Sequence, residues 1–151
     1  MKLIWKSSWV GNEYRIFRGK VIVGLLKTSA WKTDGYGELN GYMLTFKPKG
    51  FWQSETRILD IEGKNELGKI EYNWWKSTAI ITYEQISYEW KFSSWKRMQW
   101  EVKGPEETAH FEKDSMWKNE GTIEYDSTSP PIILAAMYVQ VHFIRMTAAA
   151  S

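Results

Sequence analysis

The chain has 151 residues, of which 43% are hydrophobic and 25% are charged, and its formal net charge is +2. A length near 150 residues predicts a single domain, 1–151, and this composition is typical of a folded globular protein. Cysteine is absent, which excludes disulfide scaffolds, thiol nucleophiles and cysteine-ligated zinc. The small net charge argues against a nucleic-acid partner.

The charge is unevenly distributed along the chain. Residues 1–33 carry seven basic groups and one acidic group, whereas the remainder carries thirteen basic and seventeen acidic groups. This asymmetry either becomes one basic face of the fold or is dispersed over the surface by packing.

The N-terminal sequence does not have the pattern of a signal peptide, because Lys6 interrupts its apolar run. The sequence also lacks an Asn-x-Ser/Thr glycosylation site, so we expect a cytoplasmic location. The longest uncharged stretch, residues 127–144, contains two prolines, and its solidly apolar part is shorter than the roughly 20 residues that cross a bilayer. We therefore expect a buried core helix there and no transmembrane span.

Most of the chain alternates apolar and polar residues with period two, which is typical of half-buried β-strands. Turn signals such as Arg18-Gly19 and Pro48-Lys49-Gly50 separate these runs. The pattern predicts eleven short strands near residues 2–5, 13–17, 20–26, 41–46, 56–61, 67–72, 78–83, 87–92, 97–103, 107–112 and 121–125. Residues 34–41 contain three glycines, but their spacing does not match a phosphate-binding loop, so we interpret them as a loop between strands.

The C-terminal segment predicts a different element, a hydrophobic helix at about residues 130–146. Pro130 and Pro131 suit a first helical turn, and residues 132–139 are apolar on every side. A helix without a polar face must be enclosed on every side. A sheet of eight strands is too narrow to contain a helix, whereas eleven or twelve strands suffice. The sequence therefore predicts a mainly β fold, a closed antiparallel barrel of roughly eleven to twelve strands (2–125) around a buried helix. A helix packed under one end of a β-sandwich is the alternative.

Two runs carry a resemblance to a known family. Residues 58–70 (ILDIEGKNELGKI) resemble a strand–turn–strand pattern, and residues 130–139 resemble a buried helix, of the superfamily that includes the tubby C-terminal domain, the phospholipid scramblases and the LURP-one-related proteins. The resemblance implies a small, prokaryotic member with a barrel wrapped around its C-terminal helix. Because tubby domains bind phosphoinositides and scramblase-like members associate with lipid, it also implies an anionic membrane surface as a partner.

The sequence contains two sets of candidate binding residues. Arg15, Arg18 and Lys20 are the anionic-lipid candidates, since they surround one predicted hairpin. Trp52, Trp74 and Trp75 are the candidates for an aromatic platform that binds carbohydrate or another small ligand, because they break the alternating pattern or follow a turn. The dipeptide Trp-Lys recurs at 5–6, 31–32, 75–76, 95–96 and 117–118 without a fixed period, which we interpret as an aromatic anchor beside a solvated amine.

The sequence offers little support for catalysis. His110 and His142 are too few for a metal site, and we expect both to be structural, with His142 hydrogen-bonded near Gln140 and Arg145 inside the barrel. Glu106 and Glu107 are adjacent, so on a strand they would point to opposite faces. We therefore expect a non-catalytic binding or scaffold domain without metal or cofactor. Carbohydrate binding and an uncharacterised enzyme remain the alternatives.

Overall fold

The computed structural model describes residues 1–8, 12–29, 34–50 and 52–150, with the side chains of 149 and 150 left aside. The described part of the chain contains twelve strands followed by one helix. The elements are β1 (Lys2–Ser7), β2 (Glu13–Arg18), β3 (Val21–Thr28), β4 (Gly35–Leu39), β5 (Tyr42–Lys49), β6 (Glu55–Leu59), β7 (Glu66–Asn73), β8 (Thr78–Tyr83), β9 (Ile86–Phe92), β10 (Gln99–Lys103), β11 (Thr108–Lys113), β12 (Glu120–Glu124) and α1 (Pro130–Ala150).

The twelve strands form one closed antiparallel barrel. Each strand pairs with its neighbours in the sequence, and β1 pairs with β12 to close the sheet, with Leu3 opposite Ile123. The predicted fold class is therefore confirmed, and the alternative of a sandwich with a helix beneath it is wrong. Closure also leaves the sheet without an open edge, where unpaired backbone groups would invite aggregation.

All eleven predicted strands are present, with bounds that shift by a few residues, and β4 is the strand that the prediction missed. The segment that we interpreted as a glycine loop is this strand, and Gly35 and Gly37 point into the barrel. A Cβ atom on Gly35 would lie 2.9 Å from the Tyr138 ring, and one on Gly37 would lie 3.2 Å from Leu134. Glycine is therefore needed on β4 because the helix approaches this strand closely, and such a tertiary reason leaves no local strand signal.

The helix α1 fills the interior of the barrel. Every residue from 131 to 143 is buried, including the polar Gln140 and His142. Trp90 on β9 links the barrel to the helix, because its Nε1–H donates to the carbonyl oxygen of Ala136 at 3.0 Å. The helix continues to Ala150, four residues beyond the predicted end at 146.

By length and composition, residues Pro130–Ala148 could cross a membrane, since they form a 19-residue span with a mean hydropathy of 1.3. The helix was predicted to end at about residue 146, whereas α1 reaches Ala150, so it is longer than predicted. The assignment as a core helix rests instead on burial, because 72% of this span is buried inside the barrel.

The run at residues 58–70 forms the end of β6, a turn and the start of β7. Asp60 organises this turn: its Oδ1 accepts from the Lys64 backbone N–H at 2.9 Å, and its Oδ2 accepts from Asn65 Nδ2 at 2.7 Å. These hydrogen bonds to the carboxylate lower the pKa of Asp60. The expected strand–turn–strand arrangement is thus present, while the family resemblance that it suggested stays a prediction.

Candidate functional site

The alternation of strand directions sorts the connections into two groups, one at each end of the barrel. We name the ends after the terminus of α1 that lies there. The N-end carries the described connections 19–20, 40–41, 60–65, 84–85, 104–107 and 125–129, together with Met1, whose amino group donates to the Tyr125 carbonyl oxygen. The C-end carries the described connections 50, 52–54, 74–77, 93–98 and 114–119. Arg145 of the helix reaches the C-end, where it donates to the carbonyl oxygen of Ser29.

Four tryptophans at the C-end project into solvent from four different connections. The exposed fractions are 73% for Trp52, 99% for Trp75, 88% for Trp95 and 92% for Trp117. Three of them are followed directly by an exposed lysine, namely Lys76, Lys96 and Lys118. We call these seven residues the C-end rim. Large apolar side chains that are gathered on one surface and left uncovered mark an interaction site.

Polar side chains shape the turns that present the rim. The Asn73 Oδ1 accepts from the Lys76 N–H at 3.1 Å, and the Ser115 Oγ accepts from the Lys118 N–H at 3.1 Å. In both turns the polar residue stands two positions before the tryptophan, as expected for turns closed by a short side chain. These bonds hold each Trp-Lys pair at the tip of its connection.

The sequence carries a signal for the rim that is longer than the Trp-Lys dipeptide. The pattern Ser/Asn-x-Trp-Lys occurs at residues 29–32, 73–76, 93–96 and 115–118. The last three occurrences lie in connections at the C-end. The first includes Trp31 and Lys32, which lie outside the described residues, as do Trp9 and Phe51. The pairs have no fixed sequence period because the strands between them differ in length. The three described pairs recur instead in connections at the same end of the barrel.

The two ends of the barrel differ in charge. A cavity of about 570 Å³ at the N-end has four carboxylates in its wall, together with Lys2 and the N-terminal residue Met1; the carboxylates are those of Glu106, Glu107, Glu124 and Asp126. Among the described residues, no group of three or more acidic or histidine side chains is arranged to hold a metal ion. Carboxylates therefore outnumber basic groups around the N-end cavity, whereas lysines lie at the tips of three C-end turns.

An apolar groove of about 420 Å³ lies at the C-end, between the last turns of α1 and two neighbouring connections. Phe143, Ile144, Met98 and Met116 supply apolar surface, and Lys96, Arg97 and Lys113 supply positive charge. Aspartate and glutamate are absent from the described wall of this groove. The groove borders the C-end rim, with which it shares Lys96.

The predicted basic site occupies a different part of the molecule. Arg18 and Lys20 flank the turn between β2 and β3, which belongs to the N-end. Arg15 points outward from β2, as expected, and its Nε lies 3.6 Å from the Glu13 carboxylate. Because the C-end rim lies at the other end of the barrel, one flat surface cannot contact both sets of residues at once.

The three tryptophans of the predicted aromatic platform do not share one environment in the structure. Trp75 points outward, whereas Trp74 does not. The half-buried Trp74 stacks on Tyr72 at 5.2 Å between ring centroids and meets the edge of Phe143 at 5.1 Å. Trp74 therefore belongs to the border of the core, whereas Trp52 and Trp75 belong to the C-end rim.

His142 is a buried part of the core, as expected. Its ring stacks on Tyr72 at 4.5 Å between centroids, and its Nε2–H donates to the Gln53 carbonyl oxygen at 3.3 Å. Burial lowers the pKa of His142 to about 4, with a smaller contribution from the positive charge of Arg145. The neutral ring is therefore the form that the folded barrel accepts.

We expect the stability of the protein to fall on acidification because of His142. Its folded pKa lies below the ordinary value of 6.5, so the unfolded chain takes up the proton first. The contribution of the neutral His142 ring to the free energy of unfolding is complete above pH 6.5. It decreases by about 3 kcal/mol as the pH falls to 4. His142→Phe keeps a ring in place and cannot titrate, so urea unfolding should show a smaller loss between pH 7 and pH 4. An equal loss in both proteins would contradict this assignment.

The remaining titratable candidates of the sequence lie on the outer face of a strand or in a connection of the barrel. His110 lies on the outer face of β11, with its Nδ1 3.6 Å from a Glu101 oxygen. Glu106 is exposed and Glu107 is partly buried. Comparisons with protein-family models, with curated proteins and with solved structures each returned no match to this chain. Its function is therefore argued from the geometry alone.

Proposed function

We propose that this protein is a non-catalytic domain that binds the surface of anionic membranes through its C-end rim. One observation carries the proposal: four exposed tryptophans and three exposed lysines share one end of the barrel. Tryptophan favours the interface between water and lipid, where its ring is in an apolar layer and its N–H stays near polar groups. Lysine beside it is attracted to anionic headgroups.

The arrangement suits a flat surface better than a deep pocket. The rim residues come from separate connections, so they can contact a bilayer together, and the acidic cavity then faces away from it. Each lysine near an anionic bilayer contributes about 1 kcal/mol. Three lysines therefore contribute about 3 kcal/mol, and the tryptophans must supply the remainder. This orientation also agrees with the proposed cytoplasmic location, because the cytoplasmic leaflet carries the anionic lipids.

We also propose the kinship with the tubby, scramblase and LURP-one-related superfamily. It is supported by the arrangement of a closed antiparallel barrel around an apolar C-terminal helix. The proposed membrane binding does not depend on this kinship, because it follows from the C-end rim.

Sedimentation with vesicles tests the proposed function. We expect the protein to bind phosphatidylcholine vesicles that contain phosphatidylserine, and to bind pure phosphatidylcholine vesicles much more weakly. Replacement of the rim lysines by glutamate (Lys76→Glu, Lys96→Glu and Lys118→Glu together) should weaken binding by at least about a hundredfold, since three favourable contributions are lost and repulsion is added.

A matched control is available at the basic hairpin. The triple variant Arg15→Glu, Arg18→Glu and Lys20→Glu makes the same change in net charge away from the C-end rim, so it should bind vesicles nearly as the wild type does. If this control loses binding and the rim variant keeps it, the basic hairpin is the lipid site and our proposal is wrong. Vesicles of equal charge that carry a phosphoinositide show whether the headgroup is recognised beyond its charge.

Carbohydrate binding is the second candidate, and the exposure of Trp52 and Trp75 favours it. Indole rings in solvent can stack on sugar faces as well as enter a lipid interface. A change in tryptophan fluorescence with soluble glycans, together with no binding to any of the vesicles, would support this candidate over the membrane.

A further inference from the structure

The groove at the C-end combines apolar and positively charged walls, and contact with a flat membrane does not explain this combination. On one side it is bounded by the last turns of the helix, where Phe143 is buried and Ile144 is 52% exposed. On the other side it is bounded by Met98 and Met116, whose flexible side chains adapt to apolar ligands. A volume of about 420 Å³ lies within the usual range for a small-molecule site.

Three cations supply the polar part of the groove. Lys96 and Arg97 come from the connection before β10, and Lys113 ends β11. Arg97 is held in place, because its Nη2 donates to Ser77 Oγ at 3.0 Å and its guanidinium lies 5.2 Å from the centre of the Phe92 ring. A guanidinium has five N–H donors, so most of them stay available for a phosphate.

One further wall residue points to a polar ligand. Gln140 lies on the helix, lines the groove and is only 6% exposed. Its side-chain amide offers both hydrogen-bond donors and an acceptor. Because Gln140 lines the groove, this amide can hydrogen-bond to a hydroxyl or ester group of a ligand there.

We propose that this groove binds a single-chain phospholipid with a phosphate monoester head, of the lysophosphatidate type. The phosphate, with a charge near −2, matches the three cations, and the single acyl chain matches the apolar strip beside the helix. The inference deepens the proposed function, on which it rests for the delivery of lipid to this end of the barrel. The rim would hold the protein at the bilayer, and the groove would take up one lipid molecule from it.

Calorimetric titration of the intact protein with lysophosphatidate below its micellar concentration tests the inference. We expect lysophosphatidate to bind at least about tenfold more tightly than lysophosphatidylcholine with the same chain, because the charge-assisted contacts need an accessible dianion. Glycerol 3-phosphate has the head but no chain, and we expect no binding at the same concentrations. Equal affinity for the two lysolipids, or tight binding of glycerol 3-phosphate, would overturn the proposal.

Ile144→Glu introduces a carboxylate into the groove at an exposed position, where the fold tolerates it. We expect this variant to lose lysophosphatidate binding, while Ile144→Leu keeps it. If both variants bind equally well, the groove is not the site.

The two proposals fail in different ways. Wild-type protein that binds phosphatidylserine vesicles but not lysophosphatidate would overturn the groove alone. Protein that binds lysophosphatidate but no vesicle would overturn the membrane function and leave the lipid site in place.

Discussion

A chain that ends at Ser129 should not fold. This truncation removes the helix whose residues 131–143 are buried inside the barrel. The inward-facing side chains of the strands, among them Phe46, Ile58 and Trp90, would then surround an empty or wet space. The cost of such a cavity rises with its volume, at about 24 cal/mol per Å³ in a well-studied core, so a cavity the width of a helix exceeds the stability of an ordinary domain.

Circular dichroism and gel filtration should therefore show an aggregated or unfolded product. A chain that ends at Met146 is the matched control, since it loses the exposed Thr147 and Ala148 but keeps every fully buried helical residue. We expect the control to unfold cooperatively on heating. A monomeric, cooperatively folded chain ending at Ser129 would show that the barrel does not need its helix.

Trp90→Ala should cost about 3–5 kcal/mol of unfolding free energy, the range observed for large aromatic residues removed from a core. Trp90 has no exposed surface, stacks on Phe143 at 5.2 Å and meets the edge of Phe92 at 4.8 Å. The substitution also removes the hydrogen bond to the Ala136 carbonyl oxygen. It therefore weakens the contact between the barrel and the helix on which the fold depends.

The control for Trp90 is the same change at an exposed tryptophan. Trp95→Ala removes an indole that is 88% exposed, so its effect on stability should stay within about 0.5 kcal/mol. Urea unfolding measures both variants. If Trp95→Ala destabilises as much as Trp90→Ala, Trp95 is a core residue and cannot belong to the C-end rim.

Most of the strands could be predicted because their pattern is local. In β10, Trp100 and Val102 face the core while Glu101 between them is only partly buried, and this alternation is visible in the sequence. The helix could be predicted for a related reason, since residues 132–139 lack a polar face. Together these two patterns favoured a barrel wide enough to enclose a helix over a sandwich with a helix beneath it.

Other features could not be predicted because they depend on contacts between distant residues. The glycines of β4 have no strand propensity, and they make sense only when Tyr138 and Leu134 pack against them. The end of the helix was misplaced because Thr147 and Ala148 are exposed, so this part of the helix leaves no apolar pattern in the sequence.

The candidate site likewise has features that could be predicted from the local sequence and features that could not. The sequence indicated that one of Trp74 and Trp75 is exposed, because two neighbouring residues that break the alternation cannot both enter the core, but it did not indicate which one. The sequence did not show that Trp75, Trp95 and Trp117 share one end of the barrel, because Trp95 and Trp117 are 20 and 42 positions away from Trp75. The charge asymmetry along the chain was equally uninformative, because each end of the barrel draws residues from the whole sequence.

By itself, the sequence determined which residues alternate, where the chain turns and that one helix had to be enclosed, because each of these depends on neighbours a few positions apart. Only the tertiary structure decided which turns share an end, because strand direction reverses at every connection and closure of the sheet gathers every second turn. The C-end rim, the groove beside it and the acidic cavity opposite are consequences of that closure.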